Sequence, residues 1–290
     1  MHKQVFGLFF GIICITVVAG VFAEGKKNYS LIPEPVDVII PCSEKDRDSL
    51  EYCIEGIRQQ EEVRRIIVVS KERITKNAEW FPEDRFPFTC RDIACEICQD
   101  EAEGAAVISA PGNRMGWIYQ QLIKLYSAFV IPGISSNVLL LDADTVFLKK
   151  VRFLANRGVP LFNVGDEYHL PYFEHMAKLI PGLHRMIPNN SGITHHMLVQ
   201  RSILKDLFDT VFCIHHVDFW KAFCRCIEKS EMGKSAASEY EIYFNFVLAN
   251  TNQYKLRNFF WANSTYPVAD KIEELRKKNY VYASFHRYLN

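Results

Sequence analysis

"NVLLLDADTVFLKK", residues 137–150, decides how this chain is read. Four apolar residues, Val138 to Leu141, run up to Asp142. Ala143 separates it from Asp144, and Val146, Phe147 and Leu148 restore the apolar character. A strand apolar at every position is expected at the centre of a sheet covered on both faces. In an extended segment residues i and i+2 share a face, so the two carboxylates are expected to converge where the strand leaves the core. Ionised carboxylates that close repel unless a cation intervenes. Hard Mg²⁺ or Mn²⁺ suits such a site, taking one or two carboxylates together with substrate phosphates. The bland alternative is a solvated turn carrying two surface acids.

Upstream, strands and helices alternate. "VDVIIP" (36–41) reads as a first strand, residues 48–60 as a helix, "RRIIVVS" (64–70) as a second strand and "EGAAVISA" (103–110) as a third. Residues 115–131 place Ile118, Leu122, Leu125 and Phe129 on one helical face. Together with "NVLLL" these make βαβ units and an α/β domain with a mostly parallel central sheet flanked by helices. In such sheets ligands bind beyond the carboxyl ends of the strands, which is where Asp142 and Asp144 fall. Downstream, 159–169 and 191–200 read as strands, 201–212, 217–229 and 238–250 as helices, and 255–262 and 280–285 as late strands. Residues 71–100 form the longest irregular stretch.

The 290 residues carry 34 basic and 34 acidic side chains and are 49% apolar, a globular composition without the basic excess of nucleic-acid binders. Residues 5–23 contain no charge, which is enough to span a bilayer or to serve as a secretory signal; an anchor is the favoured reading. The expected organisation is therefore a signal peptide or membrane anchor at 1–24, a linker at 25–35 and a single domain at 36–290. The protein is accordingly expected to be membrane-associated or secretory. Asn28, Asn189 and Asn263 stand in N-x-S/T sequons, which matter only in a eukaryotic secretory route. Cys90, Cys95 and Cys98 cluster as C-x4-C-x2-C, and Cys224 and Cys226 as C-x-C. Buried thiols, loop disulfides or a zinc site are all open for them.

A strand ending in D-x-D, in a chain that opens with "VDVIIPCSEKD", resembles the GT-A glycosyltransferases. The combination of "GWIYQQLIKLYSA", "VLLLDADTVFL", "NSGITHHML", "SEYEIYFNFV" and "YASFHRY" more narrowly resembles an uncharacterised family of nucleotide-diphospho-sugar transferases across nearly all of residues 36–288. The resemblance implies a GT-A-like fold, a nucleoside-diphosphate sugar donor and a divalent metal. Asp142 and Asp144 match the D-x-D that holds the metal and the diphosphate. His286 matches a late histidine that completes the metal site in glycogenin-like relatives. A glycine- and lysine-containing segment follows that histidine in those relatives and has no counterpart here; Arg287 is a candidate for its charge.

Pro41 and Ser43, with Cys42 between them, follow the first strand and are expected at the base pocket. Arg114, Gln121 and Lys124 are candidates for the diphosphate or donor sugar, Lys124 being equally readable as a solvated helix residue. On the acceptor side, Asp166, Glu167, Glu239 and Glu241 are candidates for a general base. A capping box from Ser238 to Glu241 offers a structural role for Glu241. His195 and His196 should point to opposite faces, with His195 favoured for the cleft, while His215 and His216 read as structural.

The leading expectation is a metal-dependent glycosyltransferase acting on a glycan or lipid hydroxyl. Its alternatives are a nucleotidyltransferase making sugar nucleotides, disfavoured because "PCSEKDRDSLE" lacks a glycine-rich loop, and a non-catalytic membrane-tethered glycan-binding module.

Overall fold

The computed structural model describes residues 25–289. The apolar run 5–23 lies outside them. Among the described residues no helix is long and apolar enough to cross a membrane.

Five strands form the main sheet in the order β3-β2-β1-β4-β7: β1 (Val36–Pro41), β2 (Val63–Ser70), β3 (Glu79–Pro82), β4 (Asn137–Leu141) and β7 (His196–Gln200). The first four are parallel; β7 runs antiparallel to β4. The fold is α/β, with a mostly parallel sheet flanked by helices. β1 and β4 are buried at every position, as an interior strand covered on both faces requires. Their side chains alternate between two cores. Ile39 and Leu140 face the larger one, built with the helices Met115–Val130, Arg201–His215 and Glu239–Asn250. Val38, Ile40, Leu139 and Leu141 face a smaller one under the helix Arg47–Arg58.

A second sheet, β5-β10-β9, crosses the carboxyl end of β4: β5 (Thr145–Phe147), β10 (Tyr282–Phe285) and β9 (Trp261–Ser264). Gly56 of the helix Arg47–Arg58 lies directly on β5; a Cβ there would stand 2.5 Å from the Phe147 carbonyl oxygen, so only glycine allows this approach. A two-stranded ladder, β6 (Leu161–Asn163) with β8 (Lys255–Arg257), lies beside it.

Several expectations need correction. Residues 103–110 are not a strand but most of the helix Glu101–Ser109. Glutamate and alanine favour helix there, Asp100 caps it by accepting the Glu103 N–H at 2.8 Å, and Gly104 lets it pack onto Cys95. The stretch 71–100 is more regular than expected, holding β3 and the helix Cys90–Cys98, which Thr89 and Asp92 close with a reciprocal capping box. The eight described cysteines are free thiols, and Cys90, Cys95 and Cys98 form no metal site. Of the strand expected at 159–169 only β6 forms, and of 191–200 only β7. The strand expected at 255–262 divides into β8 and β9. The stretch 25–35 is strapped onto the domain. Lys26 Nζ binds the Leu248 and Ala249 carbonyls at 2.5 and 2.8 Å, capping the end of the helix Glu239–Asn250, and Asn137 donates to the Ile32 carbonyl.

Two buried histidines make the core sensitive to acid. His175 lies 2.8 Å from the Phe223 carbonyl through Nε2, and burial pushes its pKa down to about 4. His196 lies 2.9 Å from the Thr194 carbonyl through Nδ1 among Phe147, Phe153 and Tyr282, and burial pushes it down to about 3. The unfolded chain takes up protons below about pH 6.5 that the folded chain refuses. The stability each neutral imidazole contributes is therefore present above that pH and lost as pH falls towards the folded value. Between pH 7 and pH 5 this amounts to about 2 kcal/mol per histidine. His175→Phe is expected to flatten the fall in the urea midpoint over that interval relative to the wild-type chain. Parallel pH profiles for the two would contradict it.

Candidate functional site

β4 ends at Leu141, and the chain does not continue extended. The Thr145 N–H donates to the Asp142 carbonyl at 3.0 Å, closing a tight turn. Asp142 and Asp144 therefore do not share a strand face. Each is instead paired with a histidine brought by the backbone. The Asp142 N–H donates to the His195 carbonyl, which places His195 Nδ1 3.4 Å from Asp142 Oδ2. The Phe285 N–H donates to the Asp144 carbonyl, and His286 Nδ1 lies 3.2 Å from Asp144 Oδ2. The two imidazoles stand 5.0 Å apart between centroids.

His195 is not a strand residue. It sits in the left-handed region at φ 62°, at a cost of roughly 1–2 kcal/mol, and the turn at Asp142 holds it there. His196 begins β7 and packs in the core on Phe147 and Tyr282, while His195 meets Asp142 and Trp261. Burial lowers the His195 pKa, but the Asp142 hydrogen bond and the Asp142, Asp144 and Glu167 charges outweigh it, and the net direction is up.

Lys124 is not a solvated helix residue. It lies 3% exposed beneath the site. Its ammonium donates to Asp142 Oδ1 at 2.5 Å and Glu239 Oε1 at 2.6 Å, 3.2 Å from the Tyr240 hydroxyl, which itself lies 3.2 Å from Asp142 Oδ1. Burial raises the Asp142 carboxyl, yet Lys124 and His195 together hold it well below the usual carboxylate range. For Glu239 burial wins over Lys124, and its pKa is raised.

Gln121 and Glu241 prove structural. Gln121 is buried and accepts the Glu239 N–H at 3.0 Å, holding the start of the helix Glu239–Asn250 rather than lining a cleft. Glu241 is fully buried, accepting from the Ser191 hydroxyl at 2.5 Å and Asn245 at 2.8 Å. Ser238 accepts the Glu241 N–H, but with its carboxylate so engaged the reciprocal half of the capping box is not made. Arg287 turns to the Lys45 carbonyl and Asp48. His215 binds the Leu179 carbonyl, a structural contact.

Beyond the carboxyl end of β1 opens a cleft of about 580 Å³ lined by Pro41, Cys42, Ser43, Lys45, Arg114 and Trp117, among others. The amino end of the helix Met115–Val130 faces it, and the Arg114 guanidinium stacks 4.7 Å from the Trp117 ring. A helix amino terminus with an arginine beside it attracts anions. Burial pushes the Cys42 thiol up to about 12, which makes it no nucleophile at neutral pH. The cleft adjoins the acid pair: the Asp144 charge contributes, after burial, to raising both Cys42 and Asp46. Asp166 and Glu167 are exposed beyond β6, and Asp166 lines a second cleft together with Trp261, whose ring meets His195.

The fit of a divalent cation rests on two atoms. Asp144 Oδ1 is buried without a hydrogen-bond partner. His286 places Nε2 3.0 Å from Asn263 Oδ1 and Nδ1 3.2 Å from Asp144 Oδ2. An imidazole nitrogen and a carboxylate oxygen at that distance suit a shared proton or cation. Asp142, committed to Lys124, does not complete a triad, and among the described residues no group of three histidine, cysteine, aspartate or glutamate side chains converges on one point. Tyr240, Asn263 and Trp117 belong to the site although the sequence reading passed over them. Trp117 and Tyr240 lie within the stretches that carry the resemblance, and Asn263 within a sequon, but none was assigned a role in the site.

No family model matches the chain, and no curated protein matches it. Among solved structures it is similar to mouse xyloside xylosyltransferase 1 in its apo form, with 10% identity over 87% of this chain and 97% of that one, at a TM-score of 0.38. It is similar also to an active-site mutant of LgtC, with 10% identity over 87% of this chain and 90% of that one, at a TM-score of 0.42.

Proposed function

We propose that the protein is a metal-dependent glycosyltransferase that moves a sugar from a nucleoside diphosphate to a hydroxyl acceptor. The observation that carries this is the pairing of Asp144 with His286 beside the cleft at the end of β1. Asp144 Oδ1 is unsatisfied there, and Arg287, next to His286, reaches the carbonyl of Lys45 in the lining of that cleft, which also holds Arg114 and a helix amino terminus. The base lies over Pro41 and Ser43, and the diphosphate is drawn to Arg114 and the helix end. Asp144 and His286 would hold Mn²⁺ or Mg²⁺, which would supply charge neutralisation for the leaving diphosphate.

Lys124, Glu239 and Tyr240 fix Asp142, and through it His195, at the edge of the sugar site. Glu239 is sealed by Lys124, so among the candidate acids Asp166 and Glu167 remain open to an acceptor. Asp166, lining the second cleft, is assigned as the group that takes the acceptor proton if the reaction inverts the anomeric centre. The N-terminal apolar run is proposed to anchor the domain at a membrane.

A screen of UDP- and GDP-sugars with Mn²⁺ tests the reading. At least one donor is expected to raise the melting temperature by several degrees and to be slowly hydrolysed, both lost with EDTA; ligand at about 100 times Kd adds about 2.7 kcal/mol. Hydrolysis unaffected by EDTA, or no stabilisation by any donor, would contradict it.

A further inference from the structure

The second cleft, about 440 Å³, lies between the turn after β6 and the segment that leads into β9. Its chemistry differs from that of the first. Asn189, Asn190 and Asn258 line it, and among the described residues none of their side-chain amides has a hydrogen-bond partner. Among the described residues Asp166 is its sole charged lining residue, so nothing in it would hold a phosphate or another anion. Phe260 stands at its mouth 58% exposed, with one face stacked on Tyr280 at 4.1 Å. Trp261 packs flat on Tyr282 at 5.3 Å and meets the His195 ring at 5.4 Å. The cleft therefore runs up to the histidine paired with Asp142.

Open amides beside a braced aromatic face fit a sugar. Each amide donates and accepts, which matches the vicinal hydroxyls of a pyranose, while the apolar C–H face of the ring packs on an aromatic. An acyl chain would leave the amides desolvated and unpaired, which is costly. We propose that this cleft binds a neutral glycan, with Phe260 as the stacking platform and Asn258 as a hydrogen-bonding partner. Its role as the acceptor subsite rests on the transferase reading above. That reading left a glycan and a lipid equally open; the cleft selects the glycan, with its reactive hydroxyl directed towards Asp166 and His195.

The test uses the full chain, produced in a host without N-glycosylation because the Asn189 and Asn263 sequons border the cleft. Neutral oligosaccharides of the lacto-, malto-, cello- and xylo-series are titrated by calorimetry. In the same preparation UDP and GDP are titrated with Mn²⁺. At least one oligosaccharide series is expected to bind with a millimolar or tighter Kd. Phe260→Ala and Asn258→Ala, at positions that line the cleft, are each expected to weaken it tenfold or more while leaving nucleotide affinity and the melting temperature unchanged. No binding by any series, or binding indifferent to both substitutions, overturns the proposal; nucleotide binding that persists in that case leaves the transferase reading standing. Glycan binding that is lost with Phe260→Ala while neither nucleotide binds supports the glycan cleft and removes the transferase reading.

Discussion

Lys124→Met is expected to destabilise the protein by about 3–5 kcal/mol, the usual cost of removing one partner from a buried ion pair. The ammonium sits between Asp142 and Glu239, almost without solvent, and its removal leaves the buried Glu239 carboxylate facing the partly buried Asp142. Both would then be pushed towards protonation, so the variant should recover part of its stability as pH falls from 7 to 5. Lys124→Met combined with Glu239→Gln should be more stable than Lys124→Met alone, because one of the two stranded charges is gone. Urea unfolding of the three chains at pH 7 measures this. A single variant within about 1 kcal/mol of wild type would show that Lys124 does not hold the cluster together.

Asp144→Asn is expected to behave in the opposite way, with little cost in stability and a large loss of function. Asp144 Oδ1 makes no hydrogen bond to lose, and an amide keeps a polar atom opposite His286 Nδ1. What it forfeits is the charge facing His286 and the cleft. Donor turnover with Mn²⁺ is expected to fall at least about 100-fold, at the upper end of what loss of a metal-site partner costs. His286→Ala should lower it comparably. Asp142→Asn should lose activity and stability together, because Asp142 also pairs with Lys124. If Asp144→Asn turned over a donor at the wild-type rate in saturating Mn²⁺, the assignment would fail.

The sheet was legible where apolar runs were uninterrupted. "VDVIIP" and "NVLLL" are strands at the expected residues; buried on both faces, they are apolar except at Asp37 and Asn137, whose side chains are hydrogen-bonded at the strand starts. "EGAAVISA" misled because alternating small and apolar residues suit a strand as well as a helix; the Asp100 cap decides for the helix. The acids after β4 were legible as a site at a strand end, but not their geometry. A turn hydrogen bond from Thr145 separates the two carboxylates, and no residue in "DADT" announces it. Lys124 looked like a surface residue because helical periodicity cannot tell a solvent face from a face covered by a distant helix. Its partner Glu239 lies 115 positions away. The nearness of His286 to Asp144 was anticipated through a resemblance between whole families of motifs; local pattern contains nothing of it.

The central claim is that Asp144 and His286 together hold a divalent cation for a nucleoside diphosphate. Mn²⁺ binding followed by electron paramagnetic resonance, with and without UDP or GDP, tests it most directly. The account predicts weak Mn²⁺ binding by the protein alone, at least tenfold tighter binding with one of the nucleotides, and loss of that gain in both Asp144→Asn and His286→Ala. Nucleotide-enhanced Mn²⁺ binding that survives both substitutions, or no Mn²⁺ binding with either nucleotide, would contradict it.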